Sequence, residues 1–157
     1  MIRFTGVALL GLLFVKLGVT ILACDASDDA DFPSSIALAK RSNRPLLLAF
    51  LGTDWSISSL KLDREVFDQA VFADNSKYNF LLCQIHFYQT QERDPNVLRQ
   101  NRDLATKYHI EQFPTVVVLS PDGAELGRFG YIPGGLEKYA GEINKLISAS
   151  HSSSSAQ

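Results

Sequence analysis

The sequence predicts an α/β domain with a central mixed sheet flanked by helices, and three observations predict it. Leu46–Leu51 is a continuous apolar run of strand length, the character of a strand buried on both faces. A second strand, Phe80–Phe87, is separated from the first by segments whose apolar residues recur at helical spacing. Near the C-terminal end, the β-branched run Thr115–Leu119 is joined to Glu125–Tyr131 by Ser120-Pro121-Asp122-Gly123, a strong turn signal. Strands separated by helices pair in parallel through crossovers, whereas a short turn makes an antiparallel hairpin.

Each element can be justified in order. Ile36-Ala37-Leu38-Ala39-Lys40 spaces its apolar residues like one helical face, and Asn43-Arg44-Pro45 stops it before the first strand. Gly52-Thr53-Asp54 punctuates the end of that strand. A helix then begins near Trp55-Ser56, with Leu60, Leu62, Val66 and Phe67 as its apolar face. Ser56, Ser58 and Ser59 supply hydroxyls for the unpaired amides of its first turn. A short helical stretch, Asp68–Tyr78, leads into Phe80–Phe87. The polar segment Gln89–Pro95 is a loop, and Val97–Tyr108 is helical. After the hairpin, Pro133-Gly134-Gly135 breaks the chain and Leu136–Ile147 closes it as a helix. The organisation expected is a targeting segment at 1–24, an acidic linker at 25–35, a single domain at 36–148 and a disordered Ser-rich tail at 149–157.

Composition excludes several function classes. The chain has 157 residues, room for one domain, and its 46% hydrophobic and 20% charged content supports a packed core. Residues 1–24 carry Arg3 and Lys16 and no acid. The remainder therefore holds 13 basic and 17 acidic side chains, a net charge of −4. No basic stripe runs along the sequence for a phosphate backbone, so nucleic acid is not an expected partner. No cofactor is expected, and no close His/Cys pair stands at metal-ligand spacing.

The N-terminus reads as an export signal. Arg3 precedes the apolar run Phe4–Val15, and after Lys16 the segment Leu17–Ala23 is apolar again. Three endings stay open. Ile21-Leu22-Ala23-Cys24 resembles a bacterial lipobox, which makes Cys24 a lipidation candidate. A cut after Ala26 would release the chain. Retention of Phe4–Ala23, about one bilayer span, would anchor it in the membrane. All three place the domain outside the cytoplasm, and a periplasmic location is expected.

Cys24 and Cys83 are the two cysteines. Export permits disulfides, yet one cysteine in the body of the domain builds no framework, and a Cys24–Cys83 bridge requires that Cys24 be neither lipidated nor removed. Cys83 lies in Phe80-Leu81-Leu82-Cys83-Gln84-Ile85 and reads as a small buried hydrophobe.

The order of elements, Trp55-Ser56-Ile57-Ser58-Ser59 directly after a buried strand, and Phe113-Pro114-Thr115 before the hairpin together resemble the thioredoxin superfamily. The resemblance covers about Ser35 to Ile147. It is nearest to small exported thioredoxin-like proteins whose active segment reads Asp-Trp-Cys-x-x-Cys-x-x-Leu, including periplasmic disulfide reductases of the DsbH type. Asp54, Trp55 and Leu62 stand in place, followed by Asp63-Arg64-Glu65-Val66-Phe67, while Ser56 and Ser59 occupy the two cysteine positions.

In that family the first cysteine sits at a helix N-terminus, where amide donors and the helix dipole favour the thiolate. The thiolate attacks a disulfide, and the second cysteine resolves the mixed disulfide. A serine hydroxyl is scarcely ionised at neutral pH and forms no analogue of a disulfide. Nothing else in the sequence restores a dithiol, and Cys83 alone cannot cycle. A serine-hydrolase role for Ser56 fails as well. His86 lies on a strand, His109 at a helix end and His151 in the tail, and no glycine elbow surrounds the serine.

The resemblance further implies a cis Phe113–Pro114 bond beside the helix terminus, exposing backbone groups to an extended peptide. Trp55, Ile57, Phe113, Pro114 and Thr115, with Tyr131, would then form a polypeptide-binding patch around the serines. Two functions follow: binding of unfolded or partner polypeptides in a chaperone-like or assembly role, or membership of a disulfide reductase lineage whose cysteines serine has replaced.

Overall fold

The apolar run at Leu46 forms β1 (Leu46–Gly52), a strand buried at every residue in this computed structural model, which describes residues 31–73 and 80–154. It lies centrally because both its edges are paired. On one side β2 (Leu81–Phe87) runs parallel, in register from Leu46 opposite Leu81 to Gly52 opposite Phe87. On the other side β3 (Thr115–Leu119) runs antiparallel, from Leu46 opposite Leu119 to Phe50 opposite Thr115. β4 (Glu125–Phe129) pairs antiparallel with β3, with an irregularity at Val118/Leu119. The sheet order is β2-β1-β3-β4, the mixed sheet that the sequence predicts.

Alternation along β1 sorts its side chains onto two faces. Leu47, Ala49 and Leu51 join a core with Leu62, Val66, Phe67, Tyr139 and Ile143. Leu46, Leu48 and Phe50 join a second core with Ala39, Cys83, Leu104 and Tyr108. One face is therefore covered by α2 (Ile57–Leu62), the π turn Asp63–Phe67 and α5 (Gly135–Ser154). The other is covered by α1 (Phe32–Ser42) and α4 (Pro95–Lys107). Cys83 is fully buried on the second face, so the sheet separates it from the side on which α2 packs.

Four expectations need correction. α1 begins at Phe32, inside the segment expected to be linker; Pro33 supplies a pre-set φ in its first turn, and the Ser35 hydroxyl donates to the Asp31 carbonyl at 3.0 Å. Asn43, in the left-handed region at φ 52°, ends the helix as expected. α5 runs to Ser154 and takes in most of the expected tail, because an established helix gains one backbone bond for each residue added. α2 passes directly into the π turn, where the Asp68 amide reaches back five residues to the Asp63 carbonyl at 2.8 Å. The wider turn buries the adjacent residues Val66 and Phe67 together. Leu60 is 44% exposed, whereas Leu62 is buried. Residues two apart on a helix diverge by about 200°, so both cannot face the core. Of the expected stretch Asp68–Tyr78, the structure gives α3 (Ala70–Ala73); residues 74–79 lie outside the described residues. So do Cys24, the expected targeting segment and most of the expected linker.

Candidate functional site

β1 delivers the chain to the site at Gly52, where a side chain could not fit. A Cβ there would lie 2.8 Å from the Trp55 ring and from Ser56 Cβ. The turn Thr53–Trp55 then leads to Ser56, whose extended backbone (φ −93°, ψ 109°) makes it the N-cap of α2.

The two serines are tied into one chain of hydrogen bonds. The Gly52 amide donates to Ser59 Oγ at 3.0 Å, and the Ser59 amide donates to Ser56 Oγ at 3.3 Å. Ser56 Oγ in turn donates its proton to the Phe113 carbonyl at 3.1 Å. Strand end, helix start and the segment entering β3 are thereby fastened together. Ser59 is fully buried and Ser56 nearly so. Since the Ser56 proton goes to a carbonyl and not to a base, this hydroxyl is a structural donor and is not activated for attack.

Phe113 carries the aromatic part of the site. Its ring meets Trp55 edge-on at 5.3 Å and Phe87 at 5.0 Å, and Trp55 Nε1 donates to the Phe87 carbonyl at 3.1 Å. The Phe113–Pro114 peptide is cis. Pro114 is buried, and Gly130 makes room for its carbonyl, which would lie 3.1 Å from a Cβ at that position. Thr115 opens β3, with its hydroxyl donating to the Gln112 carbonyl at 2.7 Å. Ile57 is 73% exposed at the start of α2. The structure thus brings Trp55, Ser56, Ser59 and Phe113 together. Tyr131 turns elsewhere, donating its hydroxyl to Glu65 at 2.6 Å and packing on the core of the α2 face.

Several contributors escape sequence reasoning. Asp54 accepts from the Gln89 amide at 2.9 Å, the Thr90 amide at 2.8 Å and the Thr90 hydroxyl. The Thr90 hydroxyl first, and then the Gln89 amide, hold its carboxyl below the ordinary aspartate range. Thr53 Oγ1 pairs with His86 Nδ1 at 2.7 Å, and the Thr53 amide donates to the Phe87 carbonyl at 3.0 Å. The loop before α4 is therefore strapped to the loop that carries Trp55. Leu60 adds a third exposed apolar side chain beside Trp55 and Ile57, and these three are the exposed large hydrophobic residues among those described. Only the two-residue offset from Leu62 signals Leu60 in sequence.

Asp63, at the start of the π turn, is pushed up to about 6 by burial, with the nearby charge of Asp68 adding to the effect. Gln84 Nε2 donates to it at 3.2 Å. Among the described residues, no group of three His, Cys, Asp or Glu side chains is placed to hold a metal.

Comparison with known proteins agrees with this geometry. A family model described as thioredoxin-like matches residues 27–121, well over half of the chain. The disulfide bond reductase DsbH of Chlamydia pneumoniae is 22% identical over 116 residues, covering 74% of this chain and 70% of that protein. The thioredoxin-related protein DsbJ of the same organism is 26% identical over 100 residues, which are 64% of this chain but 29% of DsbJ. A solved DsbH oxidoreductase superposes with a TM-score of 0.70 at 21% identity, over 75% of this chain and 82% of that one. A thioredoxin from Thermus thermophilus superposes at 0.54 with 18% identity, over 74% and 83%. At these identities the structural matches speak for the fold alone. The chain belongs to the thioredoxin-like family.

Proposed function

We propose that this thioredoxin-fold protein works outside the cytoplasm, in the periplasm, and binds extended or partner polypeptides at the Trp55–Phe113 site without dithiol exchange, in a chaperone-like or assembly role. One observation carries the reading. The exposed large apolar residues among those described, Trp55, Ile57 and Leu60, gather around a helix terminus whose two hydroxyls are committed to hydrogen bonds. Apolar side chains in this setting offer contact area to an incoming chain, and Trp55 is already braced by Phe113 and Phe87. Ser56 and Ser59 stand in the positions where the resemblance places a redox pair. Neither can form a disulfide, and Cys83 lies in the core of the opposite face.

The experiment is peptide-array binding by the unaltered chain and by Trp55→Ala and Phe113→Ala. Binding that falls in both variants supports the site; equal binding in all three removes it. The second reading, a disulfide reductase lineage with serine in place of cysteine, is favoured by the similarity to DsbH and DsbJ. Insulin reduction with dithiothreitol separates the two, since turnover by this chain would overturn the first. The exchange of Ser56→Cys together with Ser59→Cys tests whether the scaffold still supports a redox couple.

A further inference from the structure

The two helical layers differ in charge. Lys40 and Arg41 on α1, with Arg99, Arg102 and Lys107 on α4, stand against one acid within the two helices, Asp103. The opposite layer of α2, π turn and α5 balances four basic residues with four acidic ones. All five cations of the α1–α4 layer are exposed, and none forms an ion pair with a described residue. Between the two helices lies an open groove of about 410 Å³. Phe32 and Leu104 give it apolar lining, and its charged lining is two cations, Arg99 and Lys107, against one acid, Asp103. Lys107 Nζ sits 5.7 Å from the centre of the Phe32 ring.

Chain geometry adds a second constraint. The segment Phe4–Ala23 is apolar enough to enter a bilayer, and Cys24–Asp31 is the stretch that joins it to Phe32. Eight residues reach at most about 28 Å when fully extended. An N-terminal segment held at a membrane would therefore keep the start of α1, and the groove beside it, close to the headgroups. Each Lys or Arg near an anionic surface is attracted to it within a Debye length.

From the charge of this layer, its groove and the short tether, we infer that the α1–α4 face docks on an anionic phospholipid surface. Lys107 and Arg99 take headgroup phosphates, and the half-buried Phe32 ring receives the apolar edge of the lipid. The groove is lined by residues of α1 and α4 alone, none of which belongs to the Trp55 site, so the docking surface uses different side chains from that site.

The test uses the full chain with vesicles of phosphatidylcholine, alone or mixed with phosphatidylglycerol. Amide hydrogen exchange is followed in α1, α4 and α2. The expected result is slowing in α1 and α4 on the mixed vesicles only, with α2 unchanged, and association about tenfold tighter than on the neutral vesicles. High salt and the variant Arg99→Glu/Lys107→Glu should each abolish the slowing. The variant's unchanged exchange in α2 shows that it folds. Equal exchange on the two vesicle types means that the N-terminal segment alone makes contact and overturns the proposal, as does slowing that persists in the variant. Slowing of α1 and α4 by polyglutamate without any effect of vesicles would assign the face to an acidic polypeptide and overturn the lipid assignment.

Discussion

Ser56 donates its hydroxyl proton to the carbonyl of Phe113 at 3.1 Å while accepting from the amide of Ser59, so one side chain both caps α2 and holds the segment entering β3. A thiol is a poor substitute in this role, being a weak donor and a weak acceptor. Ser59 is fully buried and accepts from the Gly52 amide, a bond that a sulfur, as a weak acceptor, would make less well. The serines are thus integrated into the fold that surrounds them.

Ser56→Ala removes both the cap and the clasp, and the chain should lose about 1–2 kcal/mol in denaturant unfolding. Ser56→Cys should fall between the two. A loss within error for Ser56→Ala would mean that the hydrogen-bond chain contributes nothing to folding.

Asp63 gives a stability that depends on pH. Its folded-state value of about 6 lies above that of an exposed aspartate, so the folded protein holds this proton more tightly than the unfolded chain does. The associated stability is complete below the ordinary aspartate range and is lost as pH rises through about 6. Asp63→Asn keeps an acceptor for Gln84 and removes the loss. It should therefore stabilise the chain at neutral pH by about 1 kcal/mol, a figure reduced for partial solvent access, and should do nothing in acid. Chemical denaturation across this range checks it; equal effects at both ends would point to packing instead.

Tyr139 is fully buried among Phe67, Phe129 and the α5-side core, and its hydroxyl has no hydrogen-bond partner among the described residues. Burial drives its ionisation far above the ordinary tyrosine range. Tyr139→Phe relieves an unsatisfied polar group and should raise stability by about 1 kcal/mol. Destabilisation would reveal a partner for the hydroxyl.

Asp54 straps the loop before α4 to the site. Its carboxyl is held below the ordinary range, so what it contributes is present above the unfolded value and lost as pH falls through the folded one. Asp54→Ala should speed amide exchange at Gln89 and Thr90 and leave that of β1 unchanged, as read by hydrogen exchange. Unchanged exchange at those two amides would show that the loop holds itself.

Much of the fold is legible in sequence because it rests on local patterns. Leu46–Leu51 reads as a doubly buried strand, and Thr115–Leu119 matches β3 residue for residue. Trp55, Ser56, Ser59 and Phe113 come together as the motif implies. What escapes depends on distant partners or on a change of helical pitch. Asp54 finds its acceptor role 35 and 36 residues away, in a loop whose polar composition gives no hint of it. The exposure of Leu60 follows from its place on the short α2, and the π turn that follows has no marker in its residue types. The fastening of the serines to Gly52 and Phe113 exists only once three separate segments meet.

Trp55 is the chain's only tryptophan, so its fluorescence reports on the proposed site directly. Titration with an unfolded polypeptide whose cysteines have been reduced and alkylated should produce a saturable change, the same with or without dithiothreitol and lost in Phe113→Ala. No change with the thiol-free chain, together with a response to a disulfide-bonded one, would contradict the account.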